Sequence, residues 1–111
     1  MDDSQKKLLY DILEAIRAID NYVGQPKEFE RYDADSMVQH AVERNLEIIG
    51  EAMSKLLNLY PQIQISNSRR IVDTRNIIIH GYDSLDSVQI WAIVINHLPV
   101  LKGEVESHLN Q

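Results

Sequence analysis

The stretch RRIVDTRNIIIHGY, residues 69–82, reads two ways. Its β-branched residues would suit a short buried strand. Its length favours a helix instead, and the rest of the chain offers almost nothing that could pair with it as a strand. Gly81 also stands where a helix C-cap belongs. A helix over 69–81 follows, and with it an all-α chain.

Upstream, apolar residues recur at Leu8, Leu9, Ile12, Ala15, Ile16, Ile19, Tyr22 and Val23, a stripe of period 3.6. Ser4 or a neighbouring aspartate caps this first helix, and Gly24 and Pro26 end it. The polar stretch QPKEFERYDAD is expected to be a loop. Ser36 with Gln39 reads as a capping box that opens a longer helix through Val38, Val42, Ile49, Met53 and Leu57, ending at Tyr60-Pro61. Gly50 lies inside it and costs helicity, which predicts that another backbone passes close by.

Downstream, Asp86 with Gln89 opens a fourth helix through WAIVINHL, apolar all round and so buried on more than one side. Pro99 must kink it or begin a new helix, because it has no backbone donor. The expected fold is a single domain over residues 1–111, a compact bundle of four or five helices. The third and fourth helices carry more apolar surface than a small bundle can hide, which predicts a homodimer through the motif helix and its neighbours.

Composition narrows the function classes. With 44% apolar and 25% charged residues the chain is outside the disordered range. It has no cysteine, so disulfides and thiolate metal sites are excluded. The charged start MDDSQKKLLYD resembles no signal peptide, and the longest apolar run, Ile90 to Ile95, is too short for a membrane span; a cytoplasmic protein is expected. The net charge of −6 argues against a general nucleic-acid coat, and no DNA partner is expected. Residues 52–75 nevertheless hold Lys55, Arg69, Arg70 and Arg75 against Asp73 alone, which leaves room for a focused phosphate site.

On a helix, Asp73, Asn76, Ile77 and His80 share one face, while Arg75 lies off to the side. One helix cannot easily close Arg75 and His80 onto a single phosphate. Two copies meeting across a dimer axis could. Histidine takes or gives a proton near neutrality, and arginine offers a planar fork to phosphate oxygens. Together they suit metal-free RNA cleavage, in which a base takes the ribose 2′-hydroxyl proton and a cation stabilises charge on the phosphoryl oxygens. Spacing alone favours a plainer reading, a salt-bridged arginine and a hydrogen-bonded histidine at a helix end. His40, Glu43, Glu47 and Glu51 form a row better read as a solvated or salt-bridged face than as a metal site, since di-metal bundles need matching Glu-x-x-His pairs elsewhere. Glu51 is a candidate partner for Arg75 or Arg70.

The motif Arg75…His80-Gly81-Tyr82, with AVERNLEIIGEAMSKL (41–56) before it and VQIWAIVINHLPVLKGEV (88–105) after it, resembles the HEPN superfamily and specifically the HepT toxin family. The resemblance runs from Asp35 onward. It implies a homodimeric RNase toxin with Arg75 and His80 as the catalytic pair and the cleft between two motif helices. Asn76 matches the polar residue that often follows the arginine and would help to orient substrate or histidine, with Asp73 as further support. Arg69 and Arg70 are candidates for RNA-backbone contact. The resemblance further implies a partner antitoxin, a minimal nucleotidyltransferase of the MntA type, which transfers AMP from ATP to Tyr82. No cofactor and no metal are implied. A reading from another class is a non-catalytic helical partner that docks the nucleotidyltransferase and serves as its substrate-binding subunit.

Overall fold

The computed structural model describes residues 1–80 and 86–111. Six helical segments run through them: α1 (Asp3–Val23), α2 (Phe29–Asp33), α3 (Ser36–Leu59), α4 (Ser68–His80), α5 (Ser87–Asn96) and α6 (Leu98–Leu109). Among the described residues there is no strand, so the β-branched stretch is helical as expected. The all-helical bundle is as expected, with a new helix beginning at Leu98-Pro99; the one addition is the short α2 inside the polar loop. Proline lies in the first turn of α6, where its missing N–H costs nothing.

The core is built on α1 and α3. Leu9, Ile12, Ile16 and Ile19 from α1 interlock with Val42, Ile49, Met53 and Leu56 from α3, all of them fully buried. Val94, Leu101 and Val105 close the core from α5 and α6. No described helix is long and apolar enough to cross a membrane.

Caps fix where the helices begin. Asp2, one of the expected aspartates, accepts from Gln5 N at 2.8 Å. The Tyr60 hydroxyl also donates to Asp2, tying the start of α1 to the end of α3. That bond holds the Asp2 carboxyl below its ordinary range and pushes the Tyr60 phenol up. At α3 the capping box expected of Ser36 does not form. Asp35 is the cap, accepting from Met37 N and Val38 N at 3.1 Å each. Gln39 turns away and donates to the Tyr32 and Asp33 carbonyls, so it fastens α2 onto α3. At α5 the box of Asp86 and Gln89 forms as read.

The short α2 exists because α5 covers it. Trp91 packs edge-on against Phe29, ring centroids 6.0 Å apart, and against Tyr32 at 5.1 Å. Ser87 also donates to Asp33 at 2.5 Å. Tyr32 is 3% exposed, and its hydroxyl is buried without a hydrogen-bond partner among the described residues. An orphaned buried hydroxyl destabilises by about 1–3 kcal/mol, so Tyr32→Phe is expected to raise stability by about 1 kcal/mol in urea denaturation. Burial pushes the phenol up from its ordinary 10.0 to about 12, with the Glu43 and Asp33 carboxylates adding to the effect. The folded chain then keeps a proton that the unfolded chain loses. Stability held below pH 10 is therefore lost as pH rises toward about 12. The loss is on the order of 2 kcal/mol, and Tyr32→Phe should abolish that part of the alkaline decline.

Candidate functional site: one helix leaning on a glycine

Helix α4 carries every described candidate residue, and none of its residues is fully buried. It packs on α3 through Ile71, Val72 and Ile78. The closest approach falls at Gly50. A Cβ built there would lie 2.2 Å from Arg75 Cβ, 2.9 Å from Arg75 Cγ and 3.2 Å from the Ile71 carbonyl. The sequence expectation of a close backbone at Gly50 is met, and the group pressed against it is the root of Arg75.

That contact shapes the arginine. Its Nε is buried and has no hydrogen-bond partner among the described residues. Its Nη1 donates to Asn76 Oδ1 at 2.9 Å. The guanidinium thus leaves the helix interface with one donor dry and one held by a neutral amide. Glu51, suggested as a partner for Arg75 or Arg70, pairs instead with Lys55 at 3.7 Å. Glu47 pairs with Arg44 at 3.0 Å. The row on α3 is a salt-bridged face, and no described group of three or more His, Cys, Asp or Glu gathers as a metal site would require.

His80 is exposed and is the last residue of α4. Five residues separate it from Arg75, about 140° around the helix, so the two side chains leave different faces. Asn76 and Asp73 are exposed, as are Arg69 and Arg70 in the first turn. Tyr82 and Gly81 lie outside the described residues.

A groove of about 460 Å³ runs between α4 and the α5–α6 pair. Arg70, Asp73, Thr74 and Ile77 line one wall, and Ala92, Ile93, His97 and Val100 are among the residues of the other. The groove brings Arg70 and Asp73 together and includes neither Arg75 nor His80. Ile77 and Val100 of its lining are exposed, and Ile79 on α4 and Val88 and Ile95 on α5 are exposed as well.

One set of anchoring residues was not anticipated from sequence. Glu104 on α6 accepts from Ser66 N at 3.1 Å and Ser66 Oγ at 3.1 Å. His108 Nε2 lies 2.8 Å from the Gln64 carbonyl. Together they fix the loop that leads into α4. A separation of 38 or 44 residues leaves no local signal for either contact.

Known proteins are similar to this chain over nearly its whole length. "Probable ribonuclease HepT" of Thermococcus cleftensis is 37% identical over 110 residues, covering 96% of both chains. "Putative RNase MJ1380" of Methanocaldococcus jannaschii is 36% identical over 103 residues, 91% of this chain and 93% of the relative. No solved structure matches significantly. The model of the family described as "Ribonuclease HepT-like" matches residues 12–108, from the middle of α1 to the end of α6. With the helical bundle and the Arg75/His80 helix inside that span, the chain belongs to the HepT-like ribonuclease family.

Proposed function

We propose that this chain is the toxin of a toxin–antitoxin pair, a homodimeric endoribonuclease that cuts RNA without a metal ion. Two observations made above support the reading. Arg75 and His80 lie on one half-exposed helix, and α4, α5 and α6 expose apolar residues which a second copy would cover. A two-fold axis beside α4 would bring the arginine of one copy toward the histidine of the other, which a single helix cannot do.

In the reaction, neutral His80 takes the proton of a ribose 2′-hydroxyl. The freed oxygen bonds to the adjacent phosphorus, the P–O5′ bond breaks, and the leaving oxygen takes up a proton. Arg75 holds the phosphoryl oxygens as charge grows on them. Arg69 and Arg70 contribute backbone contacts at the start of the same helix. Asp73 supports the His80 face.

The cytoplasmic partner is a minimal nucleotidyltransferase that places AMP on Tyr82. A phosphodiester on that tyrosine adds negative charge and bulk, which opposes RNA phosphate. The test is incubation of purified protein with RNA in the presence of a chelator. Cleavage is expected, and His80→Ala should reduce it by about 10²–10⁴-fold, the usual worth of a general acid–base. Equal cleavage by variant and parent would reject the ribonuclease reading in favour of a binding subunit.

A further inference from the structure

Family resemblance suggested that Asn76 orients substrate or histidine, yet its amide oxygen is occupied by the guanidinium of Arg75. Three features of that arginine belong together. Gly50 admits its Cβ and Cγ where no other residue would, so its root is pressed against α3. Among the described residues its Nε, shut off from water, has nothing to donate to. Its Nη1 is the one guanidinium nitrogen with an acceptor among the described residues, and that acceptor is uncharged.

A neutral amide is a weaker acceptor for guanidinium than a phosphate oxygen, since bonds between two ionised groups are roughly twice as strong. An amide there can hold the arginine in place and still be displaced. A carboxylate would compete with the incoming phosphate for the same donor.

We propose that Asn76 is a positioning residue for Arg75: its amide oxygen occupies the place of a phosphoryl oxygen, and an RNA phosphodiester displaces it from Nη1. The proposal rests on the ribonuclease reading for its substrate class, though its binding step can be measured without cleavage. Asn76 is exposed, so substitutions there should leave the fold intact.

The experiment uses the full chain and a single-stranded 2′-O-methyl oligonucleotide, which lacks the attacking hydroxyl and cannot be cut. Titrating it into the parent should shift the Arg75 Nε–H resonance in a nitrogen–proton NMR spectrum. Asn76→Asp, of the same shape but charged, should weaken oligonucleotide binding by at least about tenfold at pH 7, because like charges oppose one another at close range. Measured against the parent at each pH, binding should return as pH falls toward the carboxylate range, about 4. With cleavable RNA, Asn76→Asp should raise KM, whereas Asn76→Ala should lower kcat by roughly tenfold with less change in KM, because the arginine loses its orientation.

A purely structural Asn76 would give no such split between KM and kcat and no pH-dependent recovery. Equal oligonucleotide affinity for Asn76→Asp and parent, or an Arg75 resonance that ignores the oligonucleotide, overturns the proposal. A parent that binds the oligonucleotide with the expected Asn76→Asp defect, yet leaves cleavable RNA whole, supports the positioning role and rejects the ribonuclease reading.

Discussion

Gly50→Ala is expected to lower stability by about 3 kcal/mol, the upper part of the range for overpacking a tight contact. At roughly 4 °C per kcal/mol for a domain of this size, the melting temperature should fall by about 12 °C. The cause is geometric: the added methyl would sit 2.2 Å from Arg75 Cβ, with the Ile71 carbonyl at 3.2 Å. Neither is the free end of a flexible side chain, so α4 itself must move away from α3. Gly103 supplies the control. It is exposed in α6, and a Cβ there would meet nothing within 4 Å. Gly103→Ala should stabilise by about 0.5–1 kcal/mol, because alanine loses less backbone entropy in a helix. Thermal denaturation of the two variants reads out both signs. If any folded Gly50→Ala protein is recovered, cleavage should fall by about 10²-fold, since a shift near 1 Å at the arginine is enough.

Mixing two dead subunits should restore activity. Arg75→Ala and His80→Ala are each expected to be inactive to within about 1% of the parent, from loss of charge stabilisation and of proton transfer. If each site takes arginine from one copy and histidine from the other, a mixed dimer retains one complete site and one empty site. Random reassortment makes half of the dimers mixed, so activity should return to roughly a quarter of the parent. Sites contained within one chain would leave the mixture as inactive as its components. The separation of Arg75 and His80 by about 140° around α4 is the reason to expect recovery. Measuring cleavage after co-refolding of the two variants decides between these outcomes.

How far the sequence could be read depended on the range of the interaction. Periodicity together with caps and breakers placed α1, α3 and the Asp86/Gln89 start of α5, because those signals lie within one or two turns. The interior glycine was also legible: Gly50 forgoes helix propensity, and only a close neighbour makes that worthwhile. The short α2 was missed because EFERYD is polar in composition. Its two aromatic residues are covered by Trp91, about sixty residues further on. Asp35 displaced Ser36 as the cap because both are good caps and only backbone geometry separates them. The site divides in the same way. Motif spacing put Arg75, Asn76 and His80 on one helix, whereas the bond from Arg75 to Asn76 depends on side-chain rotamers. The anchoring of the loop before α4 by Glu104 and His108 has no local trace at all.

Helix α4 leans on α3 and contributes no fully buried residue, while α1 and α3 hold most of the core. Its backbone amides should therefore open at a lower free energy than those of the central pair, through excursions that leave the rest of the bundle folded. Whatever covers the other side of α4 then does more than bind. It closes the least protected part of the molecule, and the ordering of the arginine helix becomes linked to the concentration of that second surface.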